Sequence, residues 1–226
     1  MTKEEFLKTF PSLIKPYKPN PDFLKQLGKV SLLMIVGPSG VGKTTLIQRS
    51  GIHFVPSDTT REPRIGEREG IDFYFRRDLE QVIEDMKSGR FVQVAIGSGG
   101  DFYATRASSF PAAGWATLPI VSSVIPIFRG LGFKKTVTAF ITPPTYQEWL
   151  WRMKAHPATV DQRAKRLVEG RRSYEFALAD SQTHIILNDN LDLASKQVKD
   201  LVEGRVDAER EARGREAVKS ILKSLN

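Results

Sequence analysis

The apolar run Ser31-Leu32-Leu33-Met34-Ile35-Val36 passes directly into Gly37-Pro38-Ser39-Gly40-Val41-Gly42-Lys43-Thr44 and then into Thr45-Leu46-Ile47-Gln48-Arg49. The first six residues read as a buried strand and the last five as the opening of a helix. Between them lies G-x-x-x-x-G-K-[ST] in full, in the strand-to-helix setting that a phosphate-binding loop requires. Gly37, Gly40 and Gly42 let the backbone fold closely round phosphates. The loop from Gly37 through Pro38, Ser39, Val41 and Gly42 to Lys43, Thr44 and Thr45 then forms a cradle of mostly backbone groups at a helix start. Lys43 is placed to neutralise charge on β- and γ-phosphates, and the Thr44 hydroxyl to ligate Mg²⁺. A chance glycine-rich turn is the competing reading, and the completeness of the motif in its context decides against it. ATP and Mg²⁺ are therefore the expected cofactors.

Outward from this loop, apolar strands alternate with amphipathic helices, the signature of a parallel sheet covered on both faces. Strands are predicted at Ser31–Val36, His53–Pro56, Trp115–Val121, Thr136–Ile141 and His184–Leu187. Two more strand-like pieces, Asp72–Phe75 and Phe91–Ile96, flank a helix at Leu79–Ser88 and suggest a small inserted subdomain able to hold a second substrate. The expected class is α/β, a P-loop three-layer fold with a parallel sheet.

Residues 1–29 read as an N-terminal extension that packs on the core, with Asn20, Pro21 and Gly28 placed to start and stop a short helix. Residues 30–203 form the main domain and residues 204–226 a helical C-terminal extension, in which Val218, Ile221, Leu222 and Leu225 recur at helical spacing.

The 226 residues suit one full-sized core with short additions, and carry no cysteine, which excludes disulfides and thiolate zinc sites. The N-terminus MTKEEFLKTF lacks the apolar stretch of a signal peptide, and the longest weakly polar run, Ala112–Phe128, is broken by Pro119 and Pro126. A cytoplasmic protein without a membrane span is expected. The formal charge of +8 concentrates between Ile125 and Arg172, where Glu148, Asp161 and Glu169 stand against many arginines and lysines. Aromatic residues are not interleaved with these bases, which argues against nucleic acid and for a phosphate-rich small partner.

Downstream of the phosphate loop stand Ser57-Asp58-Thr59-Thr60-Arg61-Glu62-Pro63-Arg64-Ile65-Gly66-Glu67, then Gly70 and Asp72-Phe73-Tyr74-Phe75. Later come Ile141-Thr142-Pro143-Pro144 and Ile186-Leu187-Asn188-Asp189. In this order, over about residues 32–202, these segments resemble the guanylate kinases, which phosphorylate GMP with ATP. The resemblance implies an acceptor-binding insertion at about 57–110 and a helical lid at about 145–172.

It also implies roles for single residues. Arg61 and Arg64 would grip the acceptor phosphate, a role suited to bidentate guanidinium forks. Tyr103 would add a hydroxyl contact, with Ser57 and Thr105 as further polar partners. Arg152 and Arg166 match the lid arginines that close over the ATP phosphates, and Arg163 could stand in for one of them; such arginines stabilise charge on the transferred phosphoryl group.

The chain departs from the family pattern mainly where the acceptor base would be read. Gln93 stands in place of a glutamate, Phe73 in place of a phosphate-touching tyrosine, and Gly100-Asp101-Phe102-Tyr103-Ala104 in place of Gly-Asn-Tyr-Tyr-Gly. Leu118-Pro119-Ile120-Val121-Ser122-Ser123 carries no acid where the family has an acidic pair, and Ala155-His156-Pro157 replaces the lid turn. Three expectations follow: a nucleoside monophosphate kinase acting on GMP; the same chemistry on another acceptor, since an amide suits a donor–acceptor edge such as adenine N6 and N1; or a nucleotide-binding regulatory module with little catalysis.

Overall fold

The structure is a computed structural model that describes residues 1–97, 99–154 and 159–225; the lid turn 155–157 lies outside them. In chain order the elements are α1 (Lys3–Ile14), α2 (Pro21–Leu27), β1 (Val30–Val36), α3 (Lys43–Ser50), β2 (His53–Phe54), β3 (Ser57–Thr59), β4 (Phe73–Phe75), α4 (Leu79–Lys87), β5 (Phe91–Ile96), β6 (Phe102–Arg106) and β7 (Gly114–Pro119). They continue with α5 (Ile125–Gly130), β8 (Lys135–Thr142), α6 (Tyr146–Lys154), α7 (Val160–Ala179), β9 (Thr183–Leu187), α8 (Leu191–Val202) and α9 (Ala208–Ser224). Two compact units result. One takes Met1–Ser31, Val55–Ala116 and Pro126–Lys134, and the other Leu32–Phe54, Thr117–Ile125 and the chain from Lys135 onward.

The second unit is built on a mostly parallel five-stranded sheet of order β2-β7-β1-β8-β9. Every residue of β1 is buried, which explains its unbroken apolar run: a parallel strand covered on both faces has no polar side to alternate with. Parallel pairing of β8 with β9 sets Phe140 opposite Ile185 and Thr142 opposite Leu187.

Helix α9 docks on this unit through Ala217, Val218 and Ile221. Gly214 makes the approach possible, because a Cβ there would come within 2.7 Å of the Ile185 side chain. The charged stretch before these residues is docked as well. Arg210 is buried, donating to the Leu187 carbonyl at 2.8 Å and to Gln197 Oε1 at 3.1 Å, and pairing with Asp189.

The first unit carries a four-stranded sheet of order β4-β3-β6-β5. On one face Val94, Phe102 and Ala104 pack with Phe6 and Phe10 of α1 and with Leu79, Val82 and Met86 of α4. Phe6 and Phe102 meet edge to face at 5.7 Å. The start of α1 is fixed by a capping box between Thr2 and Glu5. The N-terminal segment thus supplies two aromatic rings to a core. The short second helix forms as its sequence predicts, with Asn20 accepting from the Asp22 amide and Pro21 in the first turn.

Strands β3 and β6 were not expected from the sequence. Ser57-Asp58-Thr59 has no apolar alternation, and its pairing is dictated by β6 and β4 on either side rather than by its own composition. Among the described residues no helix is long and apolar enough to cross a membrane.

Candidate active site

In the second unit the phosphate loop is a backbone structure held from behind by side chains. Gly37, Gly40 and Gly42 all adopt positive φ, of 139°, 85° and 96°. Side chains would be strained there, and a Cβ on Gly42 would lie 2.6 Å from Asn188 Nδ2. Gly42 caps α3 without a side-chain hydrogen bond, so the first N–H groups of that helix are left for a ligand.

Lys43 Nζ donates to the carbonyls of Gly37 at 2.6 Å and Pro38 at 2.8 Å, which folds its ammonium back over the loop. Asn188 donates to the Val41 carbonyl at 2.8 Å, and Trp149 Nε1 donates to the Ser39 carbonyl at 2.9 Å. Arg152 donates to the Asn188 carbonyl at 3.0 Å and is steadied by Glu148 at 2.8 Å. One expected lid arginine is thereby connected to the loop through a single asparagine. On α7, Arg166 is half-buried while Arg163 is exposed.

Thr44 and Thr45 are exposed in the first turn of α3. The Thr44 hydroxyl takes no partner among the described residues, which leaves it available to a cation. No group of three or more His, Cys, Asp or Glu side chains capable of holding a metal occurs among the described residues. That donor set fits Mg²⁺, which keeps several of its waters and needs few protein oxygens when phosphates supply the others. The open backbone donors, Lys43 and Thr44 fit a nucleotide triphosphate with its cation.

The first unit gathers the expected acceptor residues by register. Ser57 pairs with Phe73 and Thr59 with Phe75 across β3 and β4; Thr59 pairs with Tyr103 across β3 and β6; Gln93 pairs with Thr105 across β5 and β6. Side chains alternate along a strand and paired residues share a face. Ser57, Phe73, Tyr103, Thr105 and Gln93 therefore stand on one face of the sheet, opposite the face that carries Phe102 and Ala104 into the core.

Gln93 and Thr105 are buried at 7% and 2% exposure, and the Gln93 amide makes no hydrogen bond with a described residue. Tyr103 meets the Phe73 ring at 6.4 Å. Arg61 lies over the same ring at 5.0 Å, with its guanidinium directed by Glu67 at 2.8 Å and by the Glu62 carbonyl at 2.7 Å. Glu67 also accepts from the Arg64 amide at 2.7 Å, while the Arg64 side chain is exposed.

No family model matches the chain. It is 30% identical over 181 residues to a guanylate kinase of Chlamydia felis, covering 75% of this chain and 86% of that protein. It is likewise 30% identical over 185 residues to a guanylate kinase of Wolbachia pipientis, covering 76% and 88%. The chain belongs to the guanylate kinase family. A guanylate kinase of Corynebacterium diphtheriae, 27% identical over 183 residues, covers 77% of this chain and 95% of its own length. The crystal structure of guanylate kinase from Anaplasma phagocytophilum shares the fold, with a TM-score of 0.57 at 21% identity over 88% of this chain and 97% of that one.

Several residues that shape this guanylate kinase-family site were not assigned roles from sequence. Asn188 and Trp149 brace the phosphate loop, and Glu67 aims Arg61; Asn188 stands in the segment Ile186-Leu187-Asn188-Asp189, which carries part of the family resemblance without a role for the asparagine. On the core side of the acceptor sheet, Asp58 is fully buried and bound by Arg106, with Arg76 3.5 Å away and itself paired to Asp85 at 2.6 Å. Burial pushes the Asp58 carboxyl above its ordinary value against the pull of Arg106. These charges sit on the opposite side of β3 and β6 from Thr59 and Thr105, so they hold the sheet together from the core side.

Proposed function

We propose that this protein transfers the γ-phosphoryl group of ATP to GMP, giving GDP, as a member of the guanylate kinase family. The observation that carries the reading is the set of positive-φ glycines around Lys43, which form a loop at a helix start whose backbone N–H groups suit an anion. With Mg²⁺ bound, the cation supplies charge neutralisation on the β- and γ-phosphates. The chain supplies the rest: Lys43 and the α3 amides hold the phosphates, Thr44 offers its hydroxyl to the cation, and Arg152 and Arg166 stand ready for charge on the transferred group. Arg61 and Arg64 hold the acceptor phosphate, with Tyr103 and Ser57 beside it, while Gln93 and Thr105 meet the base.

A second reading keeps this chemistry and widens the acceptor. An amide at Gln93, a mostly buried residue on the substrate-facing side of the proposed site, favours it. A carboxylate accepts from N1–H and N2–H₂ of guanine, whereas an amide accepts from N1–H and donates to O6. Guanine and hypoxanthine share that second edge, and adenine offers an N1 and N6 edge of the reversed sense that a turned amide also fits.

The test is product formation from ATP and Mg²⁺ with GMP, dGMP, AMP, CMP, UMP and IMP offered separately, resolved by mass and compared with Lys43→Ala. GDP formed fastest from GMP supports the proposal. Faster turnover of another monophosphate replaces it with the second reading, and ATP binding without any product leaves a nucleotide-binding module.

A further inference from the structure

One acid beside the phosphate loop is held by no hydrogen bond or ion pair among the described residues. Glu169 is half-buried on α7 and forms neither a hydrogen bond nor an ion pair with a described residue. The other acids of α6 and α7 differ: Glu148 accepts from Arg152 at 2.8 Å, Glu175 accepts from Arg171 at 2.9 Å, and Asp161 is exposed in the first turn of α7.

The packing of its neighbour places Glu169. A Cβ on Gly170 would overlap the Trp149 ring and stand 3.4 Å from Pro38 Cβ, so the α7 backbone lies against the phosphate loop at this point. Trp149 is itself bonded to that loop through Ser39. Arg166, Glu169 and Gly170 are three and four residues apart, and so share one stripe of the helix. Burial pushes the Glu169 carboxyl up, and the Lys43 ammonium nearby draws it partly back.

A carboxylate in this position, not hydrogen-bonded to a described residue, repels a bare triphosphate. It is compatible with a triphosphate whose charge a divalent cation has reduced, and whose bound waters can donate to it. The end of β7 and the residues after it, Leu118 to Ser123, offer no acid for this purpose. We propose that Glu169 faces the cation side of the bound nucleotide and makes the cradle select Mg²⁺-bound ATP over free ATP. The inference rests on the kinase reading only for ATP binding to the loop.

The experiment is a calorimetric titration of the full chain and of Glu169→Gln with ATP, once with Mg²⁺ and once with EDTA. In the unaltered protein ATP binds more tightly with Mg²⁺. In Glu169→Gln the ratio of the two affinities falls about tenfold, chiefly because metal-free ATP binds better once the repulsion is gone. Glu169→Asp, which keeps the charge, retains a ratio within about threefold of the unaltered protein. Matching melting temperatures of the three proteins tie the change to charge. An unchanged ratio in Glu169→Gln, or equal shifts in both buffers, overturns the proposal and leaves Glu169 as a counter-ion of Lys43. Absence of ATP binding by the unaltered protein in both buffers overturns the kinase reading together with it.

Discussion

In the proposed reading, phosphate is met by backbone in the second unit and by side chains in the first. Around Lys43 the donors are amides held in place by glycines of positive φ, with Asn188 and Trp149 bracing the loop. Around Arg61 the groups proposed to meet a substrate are side chains, several of them on one face of a sheet, and Glu67 aims the Arg61 guanidinium. A backbone site is specified by geometry, so most substitutions at its glycines break it. A side-chain site can be altered one residue at a time while the strands beneath it stay paired. Most, though not all, of the departures from the family pattern follow this division, the acid-free segment Leu118–Ser123 and the lid turn being the exceptions. The phosphate loop is complete, and the changes gather at Phe73, Gln93 and the turn before Tyr103.

That contrast can be broken most directly at Lys43. Lys43→Ala is expected to lower kcat by about 10³-fold without changing the melting temperature by more than a few degrees, because the side chain acts on charge and not on the core. A decrease of only a few-fold with GMP would mean that the backbone half is not the seat of catalysis.

Arg61→Ala should reduce kcat/KM for the acceptor by about 10²-fold, as expected for a lost charge-assisted pair, and leave the affinity for ATP within about twofold. Steady-state kinetics with each substrate varied separately give the two numbers. A parallel loss of ATP affinity would show that the halves are not independent.

Gln93→Glu sharpens the comparison, because it restores an acceptor-only edge on a strand that need not move. The ratio of kcat/KM for GMP over IMP is expected to rise about tenfold, since only guanine has the N2 donors that the second carboxylate oxygen would accept. Phe73→Tyr should have the smallest effect, a gain of about two- to threefold in kcat/KM for GMP from one added hydroxyl next to Tyr103 and Arg61, read in the same assay.

The parts of this molecule that sequence discloses are those with contiguous physical signals. The phosphate loop sits inside eight consecutive residues, and β1, β8 and β9 announce themselves as apolar runs because both faces of their sheet are covered. The second helix was legible from Asn20 and Pro21 for the same reason. Strand β3 was not, since Ser57-Asp58-Thr59 owes its conformation to the neighbours on either side.

The role of α1 was equally hidden. Its pattern of Phe6 and Phe10 shows that one face is buried, but not that the face meets Phe102 and Met86. For the site, Lys43, Arg61 and Gln93 could be placed from local motifs and resemblance. Asn188 and Trp149 bond to the phosphate loop, and Gly170 lies against it, from more than a hundred positions away, and such pairings exist only once the chain has folded.

The alternation along β6 has a consequence for how this region can vary. Phe102 and Ala104 belong to the core, and Tyr103 and Thr105 to the opposite face, where the acceptor is proposed to bind. Exchanging one residue for another alters one role at a time, but inserting or deleting a single residue would turn every following side chain through the sheet. It would put a tyrosine into the apolar core and a phenylalanine against the nucleotide. Length, more than chemical identity, is therefore the property that this strand must hold constant over evolutionary time, and libraries that diversify the acceptor specificity should vary residues within a fixed frame.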